Sequence, residues 1–448
     1  MLKIKWPLYD FLGLMSSGCL SYWIYLFFVP EPHVRVGPMG WGITFGVLGV
    51  VTNYLWELYE SEVLADRRKL FMRVLSAPVM LGIFSILANY VLFYPGIGRI
   101  ILLLSLLGGF VWQWSWRSLR AVFQRYRRPE GVVIIGHGEF AQRLCSTLED
   151  SNYHPYKLAG IATSHPCFEG FGDVEVTDLA HLGKFIAENH VQHVLLVPGE
   201  EPEPRVLDDL IGYMKLGVRF QDAQKFYEAL TGRIPAPYID RLRFILEIQS
   251  IRSMLFRRVK RSFDFILAAA GIVAALPVAL LIWLLIKLDS EGSVLYPQRR
   301  VGLNGRVFTL WKFRTMVRDA EDQGPRWACP DDLRTTCVGR VLRKLRLDEL
   351  PQLWNILLGQ MSFVGPRPER PEFVEMLSKE IAFYERRHLV RPGLTGWAQV
   401  CYPYGASVED AREKLEYDLY YLKHQSLFMD LLILGRTLST VVARRGAR

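Results

Sequence analysis

The sequence predicts a membrane protein of three parts: four transmembrane helices, an α/β domain, and a C-terminal region that begins with a re-entrant helix. Three observations support this class. Of the 448 residues 50% are hydrophobic, and the mean hydropathy of +0.13 is high for a soluble protein. Long apolar stretches occupy the N-terminal third, and another lies at 260–290. Between them, strand and helix patterns alternate around a glycine-rich turn.

Four apolar stretches precede residue 117. Each is close to the ~20 residues that cross about 30 Å of hydrocarbon, and Trp and Tyr cluster at their ends, as they do at membrane interfaces. No small-residue cleavage site follows the first stretch, so it is expected to be a retained anchor. A four-helix transmembrane bundle is therefore predicted over 1–117. The stretches are 8–29, 38–56, 74–94 and 97–116.

Basic residues predict the orientation of these helices. They precede the first stretch, separate the second from the third, and follow the fourth, whereas the other loops carry only Arg35 and Arg99. Because cytoplasmic loops are enriched in Lys and Arg, the N-terminus and everything after residue 117 are expected in the cytoplasm. The basic residues are Lys3, Lys5, Arg67, Arg68, Lys69, Arg73, Arg117, Arg120, Arg125, Arg127 and Arg128.

Charge and cysteine content argue against two classes of partner. Much of the net charge of +9 is explained by membrane topology, and no helix-turn-helix, zinc-finger or RNP-like pattern is present, so nucleic acid is not an expected partner. The six cysteines are scattered without Cys-x-x-Cys spacing. Neither a zinc site nor a disulfide framework is therefore indicated.

A Rossmann-like α/β domain is predicted over 130–250. Residues 131–150 have the pattern of a buried strand, a glycine turn and a helix, with Gly136, Gly138 and Ala141 in G-x-G-x-x-A spacing. A strand at 157–162, a helix at 178–189 and a strand at 191–199 are expected to follow.

Nucleotide binding by this domain is weakly supported. The acid expected after the second strand is missing, since Ala162, Thr163 and Ser164 stand there. The Tyr153-x-x-x-Lys157 pair contains Pro155, so it cannot be the helical pair of a short-chain dehydrogenase. A structural or regulatory module is favoured, and nucleotide binding stays an alternative.

The apolar run at 260–290 predicts a re-entrant helix over 262–288. The run is long enough to span, but Lys260, Arg261 and Lys287 flank it and Pro277 interrupts it. A true span would place the Arg- and Lys-rich remainder outside the cell, against the charge rule. A helix broken at Pro277 that leaves by its entry face fits both features. The alternative is an ordinary fifth span with a proline kink.

Two adjacent acids, Asp348 and Glu349, lie between a predicted short helix and Pro351. Ahead of them, residues 296–316 alternate like paired strands around an Asn304-Gly305 turn. At a bend, adjacent carboxylates can converge on one site. Carboxylates and phosphate oxygens suit Mg²⁺, a carboxylate can attack phosphorus, and the guanidinium groups of Arg343 and Arg367 suit phosphate.

From Lys260 onward the sequence resembles the bacterial sugar transferase family, monotopic enzymes that transfer a sugar 1-phosphate to a polyprenyl phosphate. The resemblance rests on "QRRVGLNGRVFTLWKFRTM", "LRKLRLDELPQLWNILLGQMSFVGPRPE" and "RPGLTGWAQV". The spans and the Rossmann-like domain ahead of it resemble the large subgroup that starts exopolysaccharide or O-antigen units. One departure is local: Arg346 stands where many members have serine.

The resemblance implies a mainly α monotopic catalytic domain over 255–448. It implies that a UDP-sugar and undecaprenyl phosphate give undecaprenyl-diphospho-sugar and UMP. By motif, Asp348 would be the nucleophile that carries a phospho-sugar intermediate, and Glu349 the ligand of a Mg²⁺ cofactor. The residues implied in substrate binding are Lys312, Arg314, Arg343, Pro366, Arg367 and Pro368.

The implied location is the bacterial inner membrane, with several spans, contact to membrane lipids and the catalytic domain on the cytoplasmic face. A homo-oligomer is left open. Two alternatives are kept: a membrane-tethered NAD-dependent sugar dehydratase or epimerase, based on Gly136 and Gly138, and a non-catalytic scaffold of polysaccharide assembly.

Overall fold

The chain forms two compact units, Met1–Asp222 and Ala223–Arg448. The predicted division into 1–117, 130–250 and 255–448 stays a prediction. A computed structural model describes residues 2–29, 37–56, 58–59, 67–91, 98–126, 129–149, 156–163, 175–197, 212, 214, 217–239, 254–317, 334–403, 405 and 407–442.

The first unit begins with four helices. Helix α1 (Leu2–Phe28) packs against α2 (Pro38–Leu55) and α4 (Arg99–Tyr126), and α3 (Arg67–Val91) packs against α2 and α4. Their outward faces are rich in exposed large apolar side chains, as expected for helices in hydrocarbon. The buried core between them contains Leu14, Tyr22, Trp41, Phe45, Leu81 and Ile101.

Within the described part of the chain, three helices are long and apolar enough to cross a membrane: Trp6–Phe28, Arg99–Leu119 and Phe256–Asp289. Helices α2 and α3 form where the sequence predicts them, but the apolar part of α3 is shorter, Arg73–Ile86. These helices support a membrane-associated protein. Four full spans stay a prediction.

A five-stranded parallel sheet completes the first unit, with strand order β3-β2-β1-β4-β5. This order matches that of doubly wound α/β folds, so the predicted α/β architecture is confirmed. Helices α5 (Glu139–Glu149) and α6 (Leu182–Glu188) follow β1 and β3. The strands are β1 (Glu130–Ile135), β2 (Tyr156–Ala162), β3 (Val176–Thr177), β4 (Val191–Leu196) and β5 (Arg219–Asp222).

The glycine turn after β1 is required by its backbone geometry. Gly136 and Gly138 have φ of 134° and 91°, which L side chains rarely adopt. The Gly136 amide donates to the carbonyl of Ala162 at 3.0 Å and joins the turn to β2. The G-x-G pattern is thus accounted for by the turn itself, and nucleotide binding gains no independent support.

The second unit contains the long helix α8 (Met254–Asp289), which continues through Pro277. The helix therefore does not end at the proline. Strands β6 (Leu295–Val301) and β7 (Val307–Phe313) form the predicted antiparallel hairpin. Asn304 and Gly305 lie in the turn with positive φ, 54° and 76°, as a tight hairpin turn requires.

Short elements follow the hairpin. Parallel strands β8 and β9 pair Ser362 with Gly393 and Val364 with Thr395. The C-terminal tail forms two helices, with a break between His424 and Leu427. The elements are α9 (Cys337–Lys344), α10 (Gln352–Leu357), β8 (Ser362–Val364), α11 (Pro371–Glu380), β9 (Gly393–Thr395), α12 (Trp397–Cys401), α13 (Val408–His424) and α14 (Leu427–Val442).

Residues 223–238 pack into the core of the second unit. Helix α7 (Ala223–Thr231) leads to Ile234 and Ala236, which are buried with Leu415 and Leu419 of α13. The Trp397 indole donates to the carbonyl of Gly232 at 2.9 Å. This stretch, predicted as the end of the α/β domain, therefore packs with the C-terminal fold, whereas residues 240–250 lie outside the described residues.

Candidate active site

The two acids lie on a short turn between α9 and α10. Helix α9 ends at Lys344, and Arg346 adopts the left-handed conformation, with φ 54° and ψ 24°. A single 3₁₀ turn, Leu347–Glu349, then carries both carboxylates, and Pro351 caps α10. The sharp reversal at Arg346 places adjacent acids at a bend, as the sequence suggested.

Helix α10 is fixed to the hairpin by Asn355, whose side chain is fully buried. Its Nδ2 donates to the carbonyl of Thr309 at 2.7 Å, and its Oδ1 accepts from the amide of Trp311 at 3.1 Å. The amide group thus pairs with β7 as a neighbouring strand would. This contact holds the acid turn beside β7, on which Lys312 lies.

Cationic side chains surround Asp348. Lys312 interacts electrostatically with Asp348 and also with Arg300, Arg343 and Arg367. Burial and the charge of Arg300 lower the pKa of Lys312 to about 8. Burial and the charge of Glu349 raise the pKa of Asp348 to about 6, against the opposing effect of Lys312. Such opposed shifts in one place are typical of functional sites.

The two predicted phosphate-binding arginines are both held at this site. Arg343 donates from Nε to Thr315 Oγ1 at 2.9 Å and from Nη1 to Thr335 Oγ1 at 3.2 Å. Arg367 donates from Nη2 to Glu349 Oε1 at 3.2 Å, and 42% of its side chain is exposed. The structure therefore brings together Lys312, Arg343, Asp348, Glu349 and Arg367.

Pro366 and Pro368 lie in the loop that carries Arg367. The Gly393 amide donates to the carbonyl of Pro366 at 2.9 Å, and Arg300 Nη1 donates to that of Pro368 at 2.9 Å. A Cβ atom on Gly365 would collide with the Arg391 carbonyl, so only glycine fits this approach. The backbone carbonyls of both prolines therefore accept hydrogen bonds that fix the loop in place.

Arg314 is placed elsewhere. Its Nη1 donates to the carbonyl of Glu291 at 2.6 Å, and its Nη2 to the carbonyl and hydroxyl of Ser290, each at 2.8 Å. Side-chain alternation would place Arg314 on the same face as Lys312. Because β7 ends at Phe313, the alternation does not continue to Arg314, and its hydrogen bonds hold it at the end of α8. These hydrogen bonds give Arg314 a structural role at the end of α8, and its contact with substrate stays a prediction.

Three residues near the site were not predicted from the sequence. Tyr296 is paired with Lys312 in the hairpin, and its ring centre is 5.2 Å from the Lys312 ammonium. Arg300 is held by Gln298 Oε1, at 2.6 and 3.0 Å, and reaches Lys312 electrostatically. The hairpin register could have indicated both residues. Arg387, which contacts the backbone of Arg367, had no local signal.

The donor atoms present fit a Mg²⁺ ion. Asp348 and Glu349 offer carboxylate oxygens, and Mg²⁺ is commonly held by one or two carboxylates together with waters and substrate phosphates. Burial and, after it, repulsion from Glu349 raise the pKa of Asp348, and a divalent cation would relieve that repulsion. Among the described residues, no group of three or more His, Cys, Asp or Glu side chains forms a metal cage. A magnesium ion here would rely on substrate oxygens.

Comparison with known proteins finds sugar transferases and sugar-phosphate transferases. A family model described as bacterial sugar transferase matches residues 255–444. An Aeromonas hydrophila protein named UDP-N-acetylgalactosamine-undecaprenyl-phosphate N-acetylgalactosaminephosphotransferase is 44% identical over 221 residues, 49% of this chain and 52% of that protein. The chain thus spans about half of that relative's length.

Two further relatives match over similar lengths of the chain. The undecaprenyl-phosphate glucose phosphotransferase of Komagataeibacter xylinus is 40% identical over 194 residues, 42% of this chain and 36% of the relative. An uncharacterized sugar transferase of Bacillus subtilis is 38% identical over 193 residues, which cover 89% of that relative. The last match includes nearly the whole of a shorter protein.

Proposed function

The chain belongs to the bacterial sugar transferase family, and from this premise we propose that it transfers a hexose 1-phosphate from a UDP-sugar to undecaprenyl phosphate. The products are undecaprenyl-diphospho-sugar and UMP, in the first membrane step of exopolysaccharide or O-antigen synthesis. The observation that carries this proposal is the arrangement of Lys312, Arg343 and Arg367 around Asp348. Two carboxylates among more numerous cations suit a diphosphate anion.

In the proposed mechanism, Asp348 is the nucleophile. A carboxylate oxygen forms a bond to the β-phosphorus of the UDP-sugar, the bond from that phosphorus to the bridging oxygen breaks, and UMP leaves with the electron pair. A phosphate oxygen of undecaprenyl phosphate then attacks the same phosphorus. This second step releases the Asp348 carboxylate and forms the lipid diphosphate.

The electrostatics of the site suit this sequence. With a pKa of about 6, Asp348 is largely ionised at neutral pH, and with a pKa of about 8 Lys312 is largely protonated. Arg343, fixed by two threonines, offers a pre-oriented guanidinium to phosphate oxygens. These cations would stabilise the negative charge that develops on the phosphoryl group and on departing UMP.

Mg²⁺ is proposed as the cofactor, with Glu349 as its protein ligand. When bound, the ion would neutralise diphosphate charge in the same way as the surrounding cations. Glu349 also accepts a hydrogen bond from Arg367, which orients its carboxylate. Preparing the protein with a chelator and adding back Mg²⁺ tests this: activity of the parent should be lost and then restored, whereas added Mg²⁺ should not restore activity to Glu349→Gln.

The proposed membrane arrangement has α8 entering and leaving by one face. Ala268, early in α8, packs with Leu353, whereas Ile286, near its end, packs with Phe313. A straight helix between those positions is about 27 Å long. If it crossed the ~30 Å of hydrocarbon, one compact unit would have to contact both sides. These contacts support a re-entrant helix.

The finer topology is proposed on charge. Four N-terminal spans, with basic loops on the cytoplasmic side of the bacterial inner membrane, would place the second unit on the cytoplasmic face. A soluble nucleotide-sugar could then meet a lipid phosphate at the headgroup plane. Membrane lipids would contact the exposed apolar face of α8, which includes Val273, Leu280 and Leu288.

The decisive experiment compares the parent protein with Asp348→Asn in purified membranes. A panel of UDP-hexoses and UDP-N-acetylhexosamines, labelled in the β-phosphate, identifies the sugar. With undecaprenyl phosphate, the parent should form labelled lipid. Without it, label should remain covalently bound to the parent and not to the variant. Transfer by Asp348→Asn at the parent rate would disprove the role of Asp348.

A control substitution separates chemistry from surface charge. Glu375→Gln removes an exposed carboxylate that pairs with Lys379 on the same helix, with 74% of its side chain exposed. It should leave both labelling reactions at the parent rate. If no UDP-sugar labels either lipid or protein in the parent, the proposed activity is wrong.

A further inference from the structure

A buried charge network lies behind the loop that carries Arg367. Arg387 is only 6% exposed, and Asp418 and Tyr384, its two partners, are 1% and 2% exposed. Arg387 Nη1 donates to Tyr384 Oη at 2.5 Å, and its Nη2 lies 2.8 Å from Asp418 Oδ2. These partners come from a 3₁₀ turn and from α13, so the network connects distant parts of the second unit.

The same guanidinium also contacts the loop directly. Arg387 Nη2 donates to the main-chain carbonyl of Arg367 at 3.0 Å. The carbonyls on either side, those of Pro366 and Pro368, are held by Gly393 and Arg300. Three successive carbonyls are therefore fixed, and the central one is fixed by a buried cation.

The position of Arg367 depends on this contact. Its guanidinium must reach forward to Glu349 Oε1 while 42% of its side chain remains exposed. A long and partly exposed side chain is placed accurately only if its main chain is held. Arg387 supplies the hold, and Asp418 and Tyr384 prevent the guanidinium from turning away.

We propose that Arg387 is a positioning residue, which acts through the backbone of Arg367 to set the phosphate-binding geometry beside Asp348 and Glu349. The kinetic part of this inference rests on the proposed sugar-phosphate transfer. Arg387 does not itself contact substrate. Its effect on the loop is a structural property that can be measured without any turnover.

The first test uses Asp418→Asn and a matched control, Glu228→Gln. Each substitution removes the charge of a buried carboxylate. Asp418 belongs to α13, whereas Glu228 is 8% exposed and accepts hydrogen bonds from Lys423 of α13 at 2.8 and 2.9 Å. Only Asp418 is connected to Arg367. Amide hydrogen exchange over 361–370 should rise about tenfold in Asp418→Asn and stay at the parent rate in Glu228→Gln.

Transfer kinetics give the second readout. For Asp418→Asn, kcat/KM for the UDP-sugar should fall about 10- to 100-fold, the size expected when a reacting geometry is displaced by an ångström. Equal exchange over 361–370 in both variants would overturn the positioning role, whatever the activity. Raised exchange in Asp418→Asn with no transferase activity in the parent would refute the proposed function and support the hold on the loop.

A double-substitution cycle with Arg387→Lys tests the proposal in a variant that keeps the buried positive charge and is expected to fold. Lysine keeps the charge opposite Asp418 but cannot reach Tyr384 and the Arg367 carbonyl together. In the parent background kcat/KM should fall about 10- to 100-fold. In the Arg367→Ala background it should fall no more than about twofold, because the residue that Arg387 positions is gone. Fully additive losses would overturn the proposal.

Discussion

Two regions of the chain bury carboxylates beside cationic side chains, but only in the first are the carboxylate's hydrogen bonds all supplied by the protein. In the N-terminal helices Asp10 is fully buried, and its carboxylate accepts hydrogen bonds from Arg117 Nη2 at 2.6 Å and Nη1 at 3.1 Å. Tyr59, Trp116 and Asn53 donate to the same carboxylate at 2.6, 2.8 and 2.9 Å. Donors on every side satisfy this charge, and the first and last helices are tied together.

The acids of the second unit are not satisfied in this way. Burial and the negative charge of Glu349 raise the pKa of Asp348, although Lys312 attracts its carboxylate. Burial and the charge of Arg300 lower the pKa of Lys312, so both shifts favour the neutral form of the group. A buried charge whose hydrogen bonds and counter-ion are all supplied by the protein stabilises the fold. A cluster with more cations than carboxylates, and with a carboxylate of raised pKa, is suited to bind an anion. The two clusters therefore predict opposite responses to substitution.

Asp10→Ala should have the largest effect of the substitutions that test this contrast. It leaves the Arg117 guanidinium buried without its counter-ion, which costs about 3–5 kcal/mol. We expect a large drop in thermal stability in detergent and in the amount of protein in membranes, with parent activity per folded molecule. A variant that folds normally but loses transfer would show that the first cluster is functional as well.

Glu349→Gln should give the converse result. The fold should keep its parent melting temperature, because this substitution removes repulsion with Asp348, while transfer should fall about 10²- to 10³-fold, as when one electrostatic partner is removed from an active site. Rates of lipid labelling at saturating Mg²⁺, together with thermal unfolding, check both parts. Loss of stability with unchanged transfer would reverse the comparison.

The pH dependence of the first half-reaction follows from the two shifted groups. Asp348 must be ionised, so the rate should fall as the pH drops below about 6, and Lys312 must be protonated, so the rate should fall as the pH rises above about 8. Each limb should approach tenfold per pH unit. UMP release without lipid acceptor is the measurement, since the lipid phosphate itself titrates.

Lys312→Arg tests the basic limb of that profile. A guanidinium stays charged throughout the range, so activity should persist above pH 8 although its level differs from that of the parent. The acid limb, which belongs to Asp348, should not move. A basic limb that is unchanged in Lys312→Arg would assign the upper group to another residue.

Much of the second unit follows from local sequence. The Asn304-Gly305 turn demands positive φ at both positions, and the alternating residues around it predict the hairpin that carries Lys312. The sequence places the acids between a predicted short helix and Pro351, and the structure has a bend there. These features depend on neighbours in the chain, so periodicity and turn chemistry are enough to find them.

The supporting contacts could not be predicted in the same way. Arg387 reaches Arg367 across 20 positions and pairs with Asp418, 31 positions away, and nothing in the local pattern distinguishes it from the neighbouring Arg386. Arg314 looks like part of a basic motif, yet it binds carbonyls at the end of α8. Long-range packing decides both cases.

The dehydratase alternative is less well supported than the sequence indicated, because the motif behind it has a structural explanation. Its basis was the pair Gly136 and Gly138, and both glycines are required by backbone conformation alone. The relatives described above are named as sugar or sugar-phosphate transferases. A motif of two glycines is compatible with any parallel sheet that turns tightly into a helix.

Arg346 gives the smallest predicted effect and concerns the geometry of the acid turn itself. Arg346 is the position at which the sequence departs from the family that it resembles, and the structure shows a left-handed residue there, at φ 54°. A non-glycine residue is disfavoured there by about 1–2 kcal/mol. Arg346→Gly should therefore be more stable than Arg346→Ala by about 1 kcal/mol, part of the gain being offset by glycine's greater freedom when unfolded. Paired thermal unfolding of the two variants measures this difference. Equal stability would contradict the backbone cost that is assigned here to a non-glycine residue at position 346, in the turn that carries Asp348.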